Sequence, residues 1–292
     1  MKLQRMMVCA LVFASYSTAK GNLVHRYSFS GNVNDSVGAA HGTVVDPGAP
    51  TAVFAGGRLD LSANVGNGSE VIAEDAYVNL PNGIISAAAN GGVPGQLTTE
   101  FWARSSENRN WAAMFSAGTS NGGEDMANGG NSSDYIQLIP RNGVGGNNRL
   151  RQTTHRDDVG AEGFVDGPTE LSTLTDTHIV SVFDQSGGLP GTVTMYVNGV
   201  SAGSAPIAGN ATPNGFLNLG TMPDNNNWLG RSQWNDPVFD GSYDEFRVYN
   251  HALSAADVTR NFALGPDIVP EAASIVLVAV GSALLAAWRR RK

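Results

Sequence analysis

The chain has 292 residues, a formal net charge of −8 and a single cysteine, Cys9. Between residues 20 and 269 twelve basic residues stand against twenty-five acidic ones, a formal charge of −13. This balance excludes a nucleic-acid partner, because no basic surface is available to neutralise phosphates. Cys9 lies in the first 19 residues, so the body of the chain has neither disulfides nor thiol chemistry and must be stable without them.

The N-terminus has the three parts of a secretory signal peptide. Lys2 and Arg5 form a positively charged start, residues 6–16 are apolar, and small residues end the segment at Ala19. Residues 1–19 are therefore predicted to be a signal peptide that signal peptidase cleaves after Ala19. The alternative is an uncleaved N-terminal anchor, which needs roughly 20 apolar residues, whereas this run has about 11.

Short apolar runs alternate with Gly, Asn, Ser and Thr through the body of the chain, which is typical of an all-β protein. Strands are predicted over residues 23–29, 76–80, 98–104, 112–116, 135–139, 177–183, 192–197, 216–219 and 243–249. Asn198 and Gly199 predict a type I′ hairpin that leads into a further strand over 200–205, because both residues tolerate positive φ. Two loops rich in Gly and Asn, 118–133 and 141–148, are predicted to be mobile surface excursions.

Only residues 253–264 have the period of a helix. Ser254 is positioned to cap its N-terminus, and Asp257 follows three residues later. Leu253 and Val258 occupy the two positions of a hydrophobic staple. The segment therefore predicts one short peripheral helix near the end of the body.

An apolar stretch, residues 272–288, runs without a charge and is followed by four basic residues. It predicts a transmembrane helix of roughly 25 Å whose basic end stays in the cytoplasm. With the preceding VPEAAS, from residue 269, this arrangement resembles the PEP-CTERM sorting signal of Gram-negative bacteria, although the family has a second proline where this chain has Ala272. The resemblance implies processing by an exosortase-type enzyme; the alternative is an unprocessed membrane anchor.

Six segments together resemble the LamG-like (laminin G-like) members of the concanavalin A-like lectin and glucanase superfamily. They are, in order, LVHRYSFSGNVNDSVGAAHGTV, AYVNLP, TTEFWARSS, THIVSVFD with TVTMYVNGVSAGS, NWLGRS, and FDGSYDEFRVYNHALSAADV. The resemblance implies a two-sheet antiparallel jelly-roll sandwich of about a dozen strands. The chain is thus divided into a signal peptide (1–19), a jelly-roll domain (20–265) and a sorting tail (266–292).

Oxygen donors cluster in two loops, one after the first strand and one before the last. They are Asn32, Asn34 and Asp35, and Asp236, Asp240, Asp244 and Glu245. In LamG-like folds the terminal strands are neighbours and often share a structural calcium ion, which prefers six to eight oxygen ligands, and the resemblance assigns Asp35 and Asp244 to it. The alternative is that Asp35 forms an Asx-turn and that Asp244 pairs with an arginine such as Arg247 or Arg26.

Catalytic residues are not expected. A glucanase of this superfamily needs two carboxylates on one face of one strand, whereas Asp244 and Glu245 are adjacent and point to opposite faces. Glu100 lies beside Trp102 in a predicted strand, and Glu107 lies in a loop. The five histidines do not have the spacing of metal ligands.

The sequence predicts a ligand site around Trp234, because sugars are commonly held by an aromatic ring together with amide and carboxylate groups. Asn235 and Asp236 flank Trp234, and Trp228 and Trp111 lie in other polar segments. The alternative for each tryptophan is packing in the core or at a sheet edge.

These inferences favour an exported, non-enzymatic binding or adhesion module at the cell surface or in the extracellular matrix. Its expected ligand is a carbohydrate or another component of the envelope or matrix. A purely structural envelope protein and a polysaccharide hydrolase are the alternatives, and a fold by itself does not decide among them.

Overall fold

Two antiparallel β-sheets form the body of the protein in a computed structural model, which describes residues 22–48, 51–66, 75–127, 133–156, 162–208 and 215–269. The strands of these ranges are β1 (Leu23–Tyr27), β2 (Thr43–Val45), β3 (Val53–Ala55), β4 (Arg58–Asp60), β5 (Tyr77–Leu80), β6 (Gln96–Ser105), β7 (Phe115–Gly118), β8 (Tyr135–Ile139), β9 (Arg151–His155), β10 (Gly163–Asp166), β11 (Thr177–Asp184), β12 (Thr192–Val197), β13 (Val200–Pro206), β14 (Asn226–Leu229) and β15 (Gly241–Tyr249). The predicted all-β, two-sheet antiparallel sandwich is confirmed.

The eight-stranded sheet has the order β13-β12-β11-β6-β15-β4-β3, and β1 also pairs with β15. The seven-stranded sheet has the order β10-β9-β8-β7-β14-β5-β2. Tyr27 of β1 lies opposite Phe246 of β15, so the first and last strands are neighbours, as the resemblance implied.

The hydrophobic core lies between the two sheets. On β6 Phe101 and Ala103 face this core, whereas Trp102 lies outside it, because successive strand residues point to opposite faces. The ring of Phe101 stacks on Phe246 at 4.5 Å between centroids and lies 5.5 Å from Phe115 of the other sheet. Burying each ring contributes about 2 kcal/mol, so these three side chains stabilise the contact between the sheets.

The predicted hairpin connects β12 and β13. Asn198 has φ of 51° and Gly199 has φ of 79°, as a type I′ turn requires, and Val197 pairs with Val200 across it. This prediction is confirmed.

The predicted C-terminal helix is α2 (Ala255–Leu264). The side chain of Ser254 accepts a hydrogen bond from the backbone N–H of Asp257 at 3.2 Å. Leu253 and Val258 lie in one buried cluster, so both the cap and the staple are confirmed.

The prediction of a single helix is wrong, because a second one, α1 (Ile84–Gly91), precedes β6. Its N-cap residue, Gly83, has no side chain, and Asp224 supplies the cap instead. The carboxylate of Asp224 accepts hydrogen bonds from the backbone of Ile85 at 2.8 Å and of Ser86 at 3.3 Å. This cap comes from a residue far along the chain, so no local signal marks the helix.

The strand predicted over 216–219 is also wrong. Leu217 and Leu219 are buried, but beyond one backbone bond from the N–H of Leu217 to the carbonyl of Ala208 at 2.9 Å, the side chain of Gln185 takes the place of a neighbouring strand. Gln185 donates to the carbonyl of Leu217 at 2.7 Å and accepts from the N–H of Leu219 at 3.0 Å. A side-chain amide thus satisfies the polar groups that a strand would otherwise have paired.

Six strands were not predicted, namely β2, β3, β4, β9, β10 and β14. They have three to five residues each, and β9 has the sequence RQTTH, which lacks an apolar residue. The loop predicted to be mobile over 118–133 is partly packed, since the N–H of Asp125 donates to Asn226 of β14 at 2.7 Å.

The signal peptide (1–19) and the apolar segment (272–288) lie outside the described residues. Within the ranges that are described, neither helix is long and apolar enough to cross a membrane.

Candidate functional site

The outer face of the seven-stranded sheet carries polar and aromatic side chains. Ile136 and Leu138 of β8 face the core, so Tyr135 and Gln137 face outward. The register of the sheet places His155 of β9 opposite Tyr135, and Thr153 of β9 lies between Gln137 and Phe164 of β10. These side chains form one continuous face of the sheet, on which Phe164 is exposed and the other four are buried.

Part of this surface is covered by the chain that follows β14. The guanidinium of Arg231 lies 4.3 Å from the ring centroid of Trp228 and 4.9 Å from that of Tyr77. It also donates to the hydroxyl of Tyr77 at 3.0 Å and to the carbonyl of Asp125 at 2.8 Å. Trp228 is fully buried beneath it, so the predicted ligand residue Trp228 is placed as a packing residue.

Trp234 lies farther along the same segment and is half-buried. Its indole N–H donates to the hydroxyl of Tyr135 at 2.7 Å, and its ring meets the rings of Tyr135 and His155 edge-on. Ser232 accepts a hydrogen bond from the backbone N–H of Trp234 at 3.0 Å. These contacts fix the ring in one orientation on the sheet.

Two carboxylates lie beside this ring. The carboxylate of Asp236 accepts from the hydroxyl of Ser232 at 2.8 Å, and that of Glu162, which precedes β10, accepts from the hydroxyl of Tyr135 at 2.8 Å. Burial raises the pKa of Asp236 to about 6; the hydrogen bond from Ser232 opposes this rise, and the negative charge of Glu162 adds to it. The adjacent Asn235 is exposed.

Phe164 provides a second, exposed ring on the same face. The ring is 43% exposed, and the guanidinium of Arg151 lies 3.7 Å from its centroid. Arg151 in turn forms a bidentate ion pair with Asp166 at 2.7 and 3.0 Å. The hydroxyl of Thr153, opposite Phe164, is buried and has no hydrogen-bond partner.

Sequence reasoning found only part of this arrangement. Trp234, Asn235 and Asp236 were predicted together, and the structure places them at the edge of the aromatic surface. Phe164 and Glu162 were missed because β10, which contains Phe164 and directly follows Glu162, was not predicted. The pair Phe164-Val165, flanked by glycine and acidic residues, was the available signal.

The structure places the predicted calcium ligand Asp35 in an Asx-turn. Its carboxylate accepts from the backbone N–H groups of Val37 at 3.0 Å and Gly38 at 2.9 Å, and from the imidazole of His25 at 2.7 Å. Burial favours a raised pKa, but the hydrogen bonds from His25, Gly38, Arg26 and Val37 outweigh it and lower the pKa of Asp35. The carboxylate is therefore fully engaged by its own loop.

Asp244, the second predicted calcium ligand, pairs with Arg58 at 3.0 Å. Asp244 thus pairs with an arginine, as the alternative expected, but Arg26 and Arg247 bind Glu245 instead. The expectation that Asp244 and Glu245 point to opposite faces is wrong, because a bulge at Asp244 leaves both outside the core, between Tyr243 and Phe246, which face it. Among the described residues no three His, Cys, Asp or Glu side chains are grouped so that they could hold a metal. Calcium binding stays a prediction.

The remaining acidic candidates have separate roles. Glu100 is fully buried and accepts hydrogen bonds from His178, Asn261 and Tyr249 at 2.9, 3.0 and 2.6 Å. Glu107 is exposed and lies 3.3 Å from Arg109.

A cavity of about 410 Å³ lies beside residues 168–175. Hydroxyl and aliphatic side chains with Glu170 form its walls, and no aromatic ring is among the described residues that line it. We regard the aromatic surface around Trp234 as the better ligand site, because it has the polar and apolar groups that ligand recognition requires.

Comparison with known proteins gives matches at the level of family and fold. The Laminin_G_3 model, of the concanavalin A-like lectin/glucanases superfamily, matches residues 73–259. Domain 4 of AbnA, a GH43 extracellular arabinanase from Geobacillus stearothermophilus in complex with arabinotriose, is similar at 23% identity with a TM-score of 0.56, over 82% of this chain and 98% of that one.

Two further structures are similar at lower identity. One, described as HCR/D-Sa-GBL1/C, has 13% identity and a TM-score of 0.53, over 84% of this chain and 52% of that one. The other is the Ruminococcus gnavus IT-sialidase CBM40 bound to alpha2,3 sialyllactose. It has 15% identity and a TM-score of 0.43, over 57% of this chain and 82% of that one. No curated protein matches the sequence.

Proposed function

Because the chain belongs to the concanavalin A-like lectin/glucanase superfamily, we propose that it is a carbohydrate-binding module whose ligand packs on Trp234. The observation that carries this proposal is the half-buried ring of Trp234, fixed by Tyr135 and flanked by Asn235, Asp236 and Glu162. An aromatic ring binds the apolar face of a sugar, and amide and carboxylate groups bind its hydroxyls. Such a surface is suited to binding without a deep pocket.

The similar arabinanase domain supports this reading. That domain was solved with arabinotriose, so a sandwich of the same architecture accommodates a sugar oligomer. The exposed ring of Phe164, on the same face as Trp234, provides a second platform. Two separate platforms on one face favour a ligand of more than one sugar unit over a monosaccharide.

The module is exported and acts at the cell surface or in the extracellular matrix. Support comes from the sequence, in which residues 1–19 have the form of a signal peptide and residues 272–288 that of a membrane helix followed by basic residues. The PEP-CTERM-like tail adds an exosortase-type enzyme as a processing partner. Intact-mass measurement of protein recovered from cells tests both ends, and the full-length mass in the cytosol would contradict export.

The module binds without catalysis. A hydrolase is the second candidate, because a carboxylic acid with a pKa near 6 beside another carboxylate is also what a glycosidase uses. A reducing-sugar assay on matrix polysaccharides separates the two. Release of sugar by the wild type that is lost in Asp236→Asn would establish hydrolysis.

The binding proposal is tested by titrating tryptophan fluorescence with a panel of oligosaccharides. We expect at least one neutral or charged oligosaccharide to change the emission, and Trp234→Ala to abolish its binding. Phe262→Ala is the matched control, because it removes an exposed ring from α2, on the other sheet. Equal binding by wild type and Trp234→Ala would contradict this site, and flat responses across the panel would contradict the function.

A further inference from the structure

The charges around Trp234 are unbalanced toward the negative. Glu162 accepts from Tyr135 and Asp236 from Ser232, and among the described residues neither carboxylate has a cationic partner. Both donors are uncharged hydroxyls, so neither negative charge is neutralised by its contact.

Two arginines of the same face are paired with carboxylates, and a third is buried among neutral groups. Arg151 is bound by Asp166 through two hydrogen bonds, and Arg156 pairs with Asp134. Arg231 is held between its aromatic neighbours and the carbonyl of Asp125. The described part of the face therefore presents anionic groups to a ligand while its cations are occupied, which disfavours an acidic sugar.

A cation fits the groups that surround the ring. Aromatic faces attract ammonium groups electrostatically, and a carboxylate adds a charge-assisted hydrogen bond that is about twice as strong as a neutral one. A neutral sugar could donate hydroxyl hydrogen bonds to Glu162 and Asp236 but would bring no positive charge to offset their partial desolvation, which costs binding free energy. A ligand with an ammonium group avoids this cost.

A buried hydroxyl on the same face independently indicates a polar ligand. Thr153 has no exposed surface, and its Oγ1 has no hydrogen-bond partner. It lies on β9, opposite Phe164 and two residues from His155, between the two aromatic platforms. Buried polar atoms without partners are uncommon in folded proteins, so this position indicates where a hydroxyl or amine is received.

We propose that the Trp234 surface selects glycans that carry free amino groups, that is, hexosamine units without N-acetylation, over their acetylated or acidic counterparts. This inference rests on the proposed carbohydrate-binding function. It adds the chemical class of the ligand, which is set by Glu162 and Asp236 rather than by the aromatic ring.

The test compares two oligomers of equal length that differ only in acetylation, glucosamine hexamer and N-acetylglucosamine hexamer. Their affinities for the full-length protein are measured by calorimetry at near-neutral pH. We expect the glucosamine hexamer to bind at least about tenfold more tightly, because it makes charge-assisted contacts that the acetylated hexamer lacks. Equal affinities, or tighter binding of the acetylated hexamer, would overturn the inference and leave the proposed function standing. Failure of the whole oligosaccharide panel would end both.

Variants test whether the preference for the glucosamine hexamer is caused by Glu162 and Asp236 or by the net negative charge of the protein. The double variant Glu162→Gln, Asp236→Asn is expected to lose the preference for the glucosamine hexamer. The control Glu107→Gln removes one negative charge from an exposed side chain elsewhere and is expected to retain it. Retention of the preference in the double variant, or equal loss in the control, would overturn the assignment.

Two measurements on the wild type do not depend on the folding of a variant. The preference should decrease as salt is raised from about 0.05 M to about 0.5 M, because salt screens charge pairs. Spermine, which is cationic but not a sugar, should compete poorly with the glucosamine hexamer. A salt-independent preference, or displacement by spermine at equal concentration, would contradict an amino-sugar site.

Discussion

Asp236 is the residue where stability and binding at this site oppose each other. Its carboxylate is held by Ser232 on one side and faces the negative charge of Glu162, and burial raises its pKa to about 6. Two further titratable groups lie near this carboxylate. The hydroxyl of Tyr135 donates to Glu162, and the ring of His155, on β9, packs edge-on against Trp234. A free charge at this position destabilises the folded protein and remains useful to a cationic ligand.

We therefore expect Asp236→Asn to stabilise the protein in a pH-dependent manner. Because the pKa of Asp236 is raised, the folded state binds this proton more tightly than the unfolded state does. The contribution of Asp236 to the free energy of unfolding of the wild type therefore falls as pH rises from about 4 to about 6. Above pH 6 the variant should be more stable by about 1 to 3 kcal/mol, and below pH 4 the difference should vanish. Urea unfolding across this pH range measures it.

Glu107→Gln serves as the control, because its side chain is exposed. We expect its free energy of unfolding to stay within about 0.5 kcal/mol of the wild type at every pH. A constant difference between Asp236→Asn and wild type from acid to neutral pH would show that Asp236 is not the titrating group.

The site residues that are consecutive in the sequence were predicted, whereas those that strand pairing brings to the site were not. Trp234, Asn235 and Asp236 are consecutive, so their composition alone indicated a sugar site. Glu162 reaches the site through the pairing of β9 with β10. Because β9 lacks an apolar residue and β10 has only four residues, neither strand nor their register could be read from hydrophobic periodicity.

Helix α2 is attached to the eight-stranded sheet by a buried charge. Glu100 of β6 accepts from Asn261 of α2 and from Tyr249 and His178 of the neighbouring strands, and Arg247 lies 3.3 Å away. The hydrogen bonds from His178 and Tyr249 and the positive charge of Arg247 outweigh burial and lower the pKa of Glu100. The ionised carboxylate thus joins three elements.

Breaking this network should detach the helix. We expect Glu100→Ala to cost about 3 to 5 kcal/mol, because it leaves buried partners unsatisfied, and Asn261→Ala to cost about 1 to 2 kcal/mol. The double variant should cost less than the sum, because both changes remove the same contact. Denaturant unfolding of the four proteins measures the coupling, and strictly additive costs would contradict a shared contact.

The hairpin turn between β12 and β13 depends on Gly199. This residue has φ of 79°, and a Cβ there would lie 3.0 Å from the ring of Phe262 on α2. We expect Gly199→Ala to destabilise the protein by about 1 kcal/mol or more, as measured by thermal unfolding. Gly187→Ala is the control, since nothing lies within 4 Å of its added Cβ, and an equal effect of both changes would contradict this explanation.

The elements that the sequence predicted well carry their own signals. The Asn198-Gly199 turn and the Ser254 cap are local, and the structure contains both. Helix α1 and the region 216–219 depend instead on Asp224 and Gln185, whose side chains satisfy backbone groups far from them in sequence. Such non-local hydrogen bonds cannot be inferred from periodicity, so those elements were missed or wrongly assigned.

At the scale of the whole molecule, the ligand surface and the exit of the chain lie on opposite faces of the sandwich. Trp234 packs on the outer face of the seven-stranded sheet. Arg247 lies on the outer face of the eight-stranded sheet, where it donates to the carbonyls of Pro266 and Ile268. The four residue steps from 268 to 272 span at most about 14 Å, so a membrane helix beginning at 272 would hold the α2 side against the bilayer.

In membrane-anchored protein we therefore expect the Trp234 face to be accessible and the α2 face to be shielded. The only cysteine is Cys9 in the predicted signal peptide, so a single introduced cysteine is a clean probe. On vesicles, a bulky maleimide should label Asn235→Cys several-fold faster than Arg260→Cys, whereas both should label at similar rates in detergent. Both native side chains are exposed, so shielding of Asn235→Cys instead would place the ligand surface against the membrane and contradict a role in binding external glycans.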